Sequence, residues 1–145
     1  MTELKKIIKN RIIQNGPLSL SEYMTLSLYH NKFGYYKNKI PIGLTRDFIT
    51  SPEVSQTFGE LLGLWLVSIW EKVKVNNNTI IADLGPGLGT LMSDAMRAIR
   101  TTNKGLFNKI GKPYLVEKSD LLKKIQKNKL TDCIIIDNIF ELPKC

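Results

Sequence analysis

The sequence predicts an α/β fold in which a Rossmann-like half-sheet of three parallel strands follows an α-helical extension. Apolar residues recur at helical spacing through residues 1–75, whereas residues 76–145 alternate short apolar runs with helical segments. The first apolar run leads directly into a glycine-rich loop that opens a helix, as at the start of a βαβ unit. We therefore predict two domains: a helical extension with an aromatic loop, 1–75, and a sheet domain, 76–145.

The composition is typical of a folded globular protein. The 145 residues are 43% hydrophobic and 23% charged, which supplies one core and excludes disordered and fibrous proteins. The longest apolar stretch, 58–73, is interrupted by glycines and charges, so no membrane span is predicted. Cys133 and Cys145 have no Cys or His partners at suitable spacing. This excludes a zinc site and a disulfide framework and favours a reducing compartment such as the cytoplasm.

The net charge of +8 raises the question of nucleic-acid binding. Most of the 21 basic residues are lysines, and they are scattered along the chain rather than gathered into a basic block or interleaved with aromatic residues. Such scatter indicates a compositional bias rather than a binding surface. We expect no nucleic-acid partner.

The helical extension begins with two short helices. Thr2 can cap the first, and Gly16-Pro17 ends it. Ser19 and Glu22 have the spacing of a capping box for the second, which ends near His30. As the single histidine, His30 is either a general base or, on the simpler interpretation that we favour, a solvent-facing helix end.

A loop and a long helix complete the extension. Residues 32–49 lack a sustained period and are predicted to be a loop. Ser51-Pro52-Glu53 reads as a cap, a first-turn proline and a first-turn acid, so a long helix should run from there to about residue 73. Its broad apolar face is predicted to be core, with Trp65 and Trp70 in the core or at a domain interface. The segment 47–53 is the candidate lid of a site, although capping alone explains its Ser51 and Glu53.

The sheet domain follows a turn at Asn76-Asn77-Asn78. Strands are predicted at 79–84, 113–116 and 133–136, with helices at 90–99 and 119–128 between them. Alternation of this kind implies a parallel sheet with right-handed crossovers.

The glycine loop is the strongest functional signal. Gly85, Gly87 and Gly89 remove side chains where the backbone must turn and approach a ligand, ahead of a helix N-terminus with free N–H groups. The third glycine comes one residue earlier than in the dinucleotide fingerprint, and the phosphate-loop lysine is missing. Asp83 would repel a pyrophosphate but suits an amino group. The loop therefore favours S-adenosyl-L-methionine over NAD.

Two further carboxylates follow the next strands, where ligands of open α/β sheets bind. Glu117 is predicted to hold both ribose hydroxyls, and Asp137 is predicted to take the adenine amino group or, alternatively, to cap a turn. The candidate cofactor-binding residues, all at this edge of the predicted sheet, are Asp83, Gly85, Gly87, Gly89, Glu117 and Asp137. The sequence assigns no catalytic residue and no metal ligand.

These motifs also carry a family resemblance. Residues 83–91 resemble the E-L-G-P-G-R-G-T-L signature of the MidA family, and residues 115–119 are similar to its second-strand motif. Further blocks match in the right order at residues 16–19, 22–24, 33–36, 47–55 and 58–61. The resemblance implies a class I methyltransferase that uses S-adenosyl-L-methionine to methylate a protein arginine of a respiratory complex I subunit, in mitochondria if the source is eukaryotic.

Three residues depart from the family pattern. Asp83 and Leu88 stand where the signature has Glu and Arg, and Arg46 stands where a Gly is usual. A contact to cofactor or substrate is expected to be lost at these positions.

The chain also corresponds to only about the first third of a family member. In the usual strand order, 3-2-1-4-5-7-6, strand four should pair with strand one, which here becomes an open edge. We therefore expect a complementary C-terminal methyltransferase half as partner. The alternatives are a non-catalytic interaction module, a remnant of a disrupted gene, or a fragment of a longer protein.

Overall fold

The computed structural model describes residues 2–73 and 79–144. In chain order its elements are α1 (Glu3–Asn15), α2 (Leu20–Tyr29), α3 (Tyr35–Asn38), α4 (Ser51–Val54), α5 (Gln56–Lys72), β1 (Ala82–Leu84), α6 (Thr90–Thr102), α7 (Lys104–Ile110), β2 (Tyr114–Val116), α8 (Asp120–Lys129), β3 (Ile134–Ile136) and a 3-10 turn (Ile139–Glu141). The predicted turn at 76–78 and the predicted boundary between domains lie outside the described residues. None of the described helices is long and apolar enough to cross a membrane.

The three strands form one parallel sheet in the order β1-β2-β3. Ala82 pairs with Tyr114, which pairs in turn with Ile134. The predicted α/β half-sheet is therefore confirmed. Each strand starts later than its apolar run predicted, because pairing with a neighbour, rather than apolarity, defines where a ladder begins. Among the described strands, β1 pairs only with β2, so its other edge is open.

The core lies between the sheet and the helices that cross it. Ile99 of α6 and Leu115 of β2 have no exposed surface, and the rest of the cluster packs around them. The other buried members are Val67, Met92, Met96, Leu106 and Ile110. A helix that crosses over a parallel sheet buries one apolar face in this way.

The long helix predicted to open at Ser51 is wrong: the structure has two helices. Ser55 lies between α4 and α5 with an extended backbone (φ −149°, ψ 125°). Its Oγ accepts a hydrogen bond from the N–H of Thr57 at 3.3 Å, so Ser55 is the cap of α5. The Ser51-Pro52-Glu53 signal begins the one-turn helix α4 instead. Because a second cap, Ser55, follows the first signal closely, the helix is interrupted between α4 and α5.

Two other segments hold more structure than predicted. The region 32–49 contains α3 and a bridge between Ile42 and Phe48, closed by a hydrogen bond from Phe48 N–H to the Pro41 carbonyl at 3.1 Å. Helix α7 was not predicted. It is capped by Asn103, whose Oδ1 accepts from the N–H of Leu106 at 2.9 Å.

Helix α5 buries only one of its faces. Val67 and Trp70 pack on the core cluster, whereas Leu61 and Trp65 remain 59% and 58% exposed. The prediction that the whole apolar face is core is therefore wrong, and Trp65 is not a core residue. Glycines on the buried face allow α5 to lie directly against α6.

The extension docks on the carboxyl end of β2. Ser119 Oγ donates to the Tyr36 carbonyl at 2.6 Å, and Lys37 pairs with Asp120 at 3.1 Å. His30 ends α2, and its Nδ1 accepts hydrogen bonds from the N–H groups that follow in the turn. This supports the structural interpretation of His30. The predicted capping box at Ser19 and Glu22 is confirmed.

Candidate cofactor-binding site

The glycine loop between β1 and α6 has the conformation that its residues predict. Gly85, Gly87 and Gly89 all have positive φ, at +75°, +56° and +78°. A Cβ at Gly85 would find no atom within 4 Å, so the space in front of this residue is open. At Gly87 a Cβ would lie 3.0 Å from Ile42 Cδ1. Side chains are therefore disfavoured by conformation at both glycines, and at Gly87 a Cβ would also be tight against the end of the Ile42 side chain.

Asp83 lies in β1 directly before this loop. Burial raises the pKa of its carboxyl group, and in the part of the chain that the structure describes no hydrogen bond or ion pair offsets that burial. A half-buried carboxylate without a partner is costly. It is also a free acceptor for a donor group on a ligand.

A groove of about 190 Å³ joins the loop to the predicted lid. Its walls are Ile42, Thr50, Pro52, Glu53, Asp83, Gly85, Pro86, Gly87, Leu88 and Leu91. Of the two lid residues singled out from the sequence, Glu53 lines the groove and Ser51 does not. The structure therefore brings α4 and the glycine loop to the same place.

A cluster around Asp47 holds the segment that leads to α4. Tyr35 donates its hydroxyl to Asp47 Oδ2 at 2.7 Å, and Lys39 forms an ion pair with the same oxygen. The hydrogen bond to Asp47 raises the pKa of Tyr35 to about 12. The hydrogen bonds from Lys39 and Tyr35 lower the pKa of Asp47. These contacts tie the lid segment to α3.

Glu117 follows β2 and is buried, with 7% of its surface exposed. Its Oε1 accepts from the N–H of Ser119 at 2.8 Å, and its Oε2 accepts from Gln126 Nε2 at 3.3 Å. A carboxylate has about four acceptor positions, so these two bonds leave others for ligand hydroxyls. The ribose role of Glu117 stays a prediction.

Asp137 follows β3 and its side chain is exposed. It pairs with Lys123 of α8 at 2.5 Å. Its predicted role at the adenine amino group is not tested by this contact. Glu117 and Asp137 nonetheless come directly after β2 and β3, and Asp83 lies in β1 one residue before its end, so all three lie near the carboxyl edge of the sheet.

Sequence reasoning missed Gln126 of α8. Its side chain has no exposed surface, and its Nε2 donates to the carbonyl of Gly87 at 2.8 Å as well as to Glu117. The available signal was a polar residue four positions after Leu122, on the helix face that turns inward.

Comparison with known proteins identifies the family. A family model described as "Putative S-adenosyl-L-methionine-dependent methyltransferase" matches residues 61–139, more than half of the chain. The chain belongs to this family. The match includes the glycine loop and all three strands, so the family predicted from the loop motif is confirmed.

Curated relatives of this family member are similar along most of its length. Protein arginine methyltransferase NDUFAF7, mitochondrial, of Danio rerio is 41% identical over 127 residues, and its Homo sapiens counterpart is 38% identical over 131 residues. The matches cover 87% and 90% of this chain but 30% of each relative. The chain therefore spans about 30% of the length of these relatives.

Solved structures share the fold. A Burkholderia thailandensis protein, described as a candidate methyl transferase and crystallised with S-adenosyl-homocysteine, superposes with a TM-score of 0.74 at 21% identity. The superposition covers 97% of this chain and 37% of that one. A native crystal structure from the same organism gives a TM-score of 0.68 at 20% identity. Both likenesses establish the fold.

Proposed function

We propose that this chain binds S-adenosyl-L-methionine in the groove between the glycine loop and α4, as the cofactor-binding part of a protein arginine methyltransferase. One observation carries the proposal. An open glycine loop and Asp83, a carboxylate without a partner among the described residues, line one groove with Pro52 and Glu53 of α4 at the carboxyl edge of a parallel sheet. Ligands of open α/β sheets bind at this edge. The family, and a fold shared with a protein crystallised with S-adenosyl-homocysteine, support it.

The residues present fit such a cofactor. The open space at Gly85 allows a ligand to approach the backbone. Asp83 would accept from the amino group of the methionine part, Glu117 would hold the ribose hydroxyls, and Asp137 would accept from the adenine amino group. When bound, the cofactor supplies a methyl group on a positively charged sulfur. The chain's own part in the reaction is to bind and orient that group.

The substrate class is proposed from the relatives, which are named protein arginine methyltransferases. We propose a protein arginine as acceptor, in a complex I subunit as the resemblance implies. Since the relatives are also named mitochondrial, we propose a mitochondrial location in a eukaryotic source and a cytoplasmic one otherwise.

We further propose that catalysis needs a complementary C-terminal methyltransferase half. The edge of β1 is open among the described strands, and α5 exposes an apolar face that includes Leu61 and Trp65. Unpaired strand edges and large apolar patches are typical of surfaces that bind another segment. The same surface favours the second candidate function, a non-catalytic interaction module.

Isothermal titration with S-adenosylhomocysteine tests the proposed binding. We expect the 145-residue chain to bind with micromolar affinity and Asp83→Asn to weaken binding about tenfold or more, because a hydrogen bond to a charged group contributes about 1.5–3 kcal/mol. Gly87→Val should abolish binding. Asp132→Asn is the matched control, because Asp132 is exposed and pairs with Lys112 away from the groove. Absence of binding by a folded chain would refute the proposal for this chain alone.

A further inference from the structure

Gln126 is a fully buried amide outside the predicted set of cofactor-binding residues. Burial of an amide costs free energy unless its polar atoms are hydrogen-bonded. Nε2 donates to two acceptors, the Gly87 carbonyl at 2.8 Å and Glu117 Oε2 at 3.3 Å. Within the described residues, its Oε1 has no partner. Gln126 therefore directs both amide hydrogens toward the cofactor site while one of its own acceptors goes unused.

The first contact orients the glycine loop. The carbonyl and N–H of a trans peptide point in opposite directions. Because the Gly87 carbonyl is held by Gln126, the N–H of Leu88 in the same peptide points away from the Gln126 side chain, and both Gly87 and Leu88 line the groove. Gln126 also supports the loop by packing, since a Cβ at Gly89 would lie 3.4 Å from Gln126 Cγ.

The second contact orients the carboxylate of Glu117. One oxygen is held by the backbone N–H of Ser119 and the other by Gln126, so rotation of the carboxylate is restricted at both oxygens. Each oxygen keeps an acceptor position for a further donor. A single amide thus fixes two parts of the site that come from different βα units.

We propose that Gln126 is a positioning residue that couples the backbone of the glycine loop to Glu117, so that both meet an adenosyl ligand in one prearranged geometry. This inference rests on the proposed function, because it takes Glu117 as a ligand of the ribose. It goes beyond that function by assigning the preorganisation of the site to a residue that does not itself touch the ligand.

The test uses three variants of the 145-residue chain. Gln126→Met keeps a similar volume and removes both donors. Gln126→Glu replaces the amide by a carboxyl next to Glu117, and Asn128→Glu introduces a carboxyl at an exposed position of the same helix. Hydrogen exchange of residues 85–89 is measured without ligand, and S-adenosylhomocysteine affinity is measured by titration calorimetry between pH 5.5 and 8.

We expect Gln126→Met to speed hydrogen exchange in the glycine loop and to weaken the binding of S-adenosylhomocysteine about tenfold. Its helix content, measured by circular dichroism, should be unchanged. For Gln126→Glu the affinity relative to wild type should recover as the pH falls. The introduced carboxyl and Glu117 repel each other when both are charged, and a shared proton restores one donor. The affinity of Asn128→Glu relative to wild type should be the same at every pH.

Unchanged loop exchange and affinity in Gln126→Met would overturn the proposal, as would a loss in Gln126→Glu that is the same at every pH. Gln126→Glu at pH 5.5, where a donor returns, still gives an answer if Gln126→Met does not fold. If the wild-type chain binds no S-adenosylhomocysteine, the proposed function fails and the coupling to a ligand fails with it. If the wild-type chain binds and Gln126→Met binds equally well, only the positioning role is lost.

Discussion

Asp83 and Glu117 are both carboxylates near the carboxyl ends of neighbouring strands, yet their surroundings differ. Glu117 is buried, and each of its two oxygens accepts a hydrogen bond. Asp83 is half-buried, and none of the described residues donates a hydrogen bond to its carboxylate. A half-buried carboxylate that folding leaves unpaired lowers stability. This contrast is why we propose Asp83, rather than Glu117, as the carboxylate that gains its first donor when a ligand binds.

The pH dependence of stability tests this view of Asp83. Its folded-state pKa is raised above the ordinary value of 3.8 by burial. The folded state then holds the proton more tightly, so this group destabilises the protein progressively as the pH rises from about 4 through the raised value. Asp83→Asn removes the charged form. We therefore expect its free energy of unfolding to match wild type near pH 4 and to exceed it by about 1 kcal/mol at pH 7.

Urea unfolding at pH 4, 5, 6 and 7 measures this difference, with Asp132→Asn as a control that should show no such trend. A variant Asp83→Asn that is less stable than wild type at pH 7 would show that the carboxylate has a partner in the folded chain. Together with weaker S-adenosylhomocysteine binding by Asp83→Asn, the expected result would show that the Asp83 carboxylate lowers stability while it strengthens ligand binding.

At the scale of elements, the site depends on how closely α5 approaches α6. At Gly63 a Cβ would lie 2.5 Å from the carbonyl oxygen of Ala95 and 3.0 Å from its Cα, and at Gly59 it would lie 2.6 Å from Asp94 Cβ. Backbone atoms cannot move aside as side-chain ends do. The two glycines therefore set the distance between the helix that follows the lid and the helix that follows the glycine loop.

We expect Gly63→Ala to destabilise the chain by about 1–3 kcal/mol, because the added methyl group forces the two helices apart. Gly105→Ala provides the matched control. Its Cβ would meet only Asn103 Oδ1 at 3.4 Å, within α7 and at negative φ. There the same change should be neutral or stabilise by about 0.5–1 kcal/mol. Thermal unfolding of both variants measures the difference, and equal effects would contradict a close α5–α6 contact.

At the scale of the whole molecule, the described residues leave two features uncovered: the open edge of β1 and the face of α5 that includes Leu61 and Trp65. A cavity of about 350 Å³ lies between β1, α5 and α6, lined by Leu62, Leu66, Ile80, Ile81, Ala82, Asp83, Leu91, Met92 and Ala95. Asp83 borders both this cavity and the candidate cofactor groove. A segment that fills the cavity would therefore also complete the surroundings of the cofactor.

The exposed face of α5 around Trp65 should govern the self-association of the chain. We expect the chain to form concentration-dependent oligomers and Trp65→Lys to reduce them, since a charge on an apolar patch opposes its burial. Unfolding stability should change little, because Trp65 is 58% exposed. Leu20→Lys, at an apolar residue of α2 that is also exposed, is the control. Sedimentation velocity at several concentrations measures the effect, and an equal reduction by both variants would contradict a specific surface.

The sequence correctly predicted features that depend on only a few neighbouring residues. The capping box at Ser19 and Glu22 forms because its partners are three residues apart, and the glycine loop adopts positive φ because glycine tolerates it there without strain. The break at Ser55 was missed because this second cap comes only four residues after Ser51, inside the span that the apolar period marks as one helix.

The sequence by itself determined the parallel α/β half-sheet, the loop at its carboxyl edge and the family, because periodicity, glycine spacing and short motifs are local properties. Tertiary structure alone decided that α4 lines the groove, that Gln126 joins Gly87 to Glu117, and that Trp65 faces outward. These depend on residues up to 39 positions apart in the chain meeting in space, as Gln126 and Gly87 do. Such contacts follow from the packing of whole elements, and no window of sequence contains them.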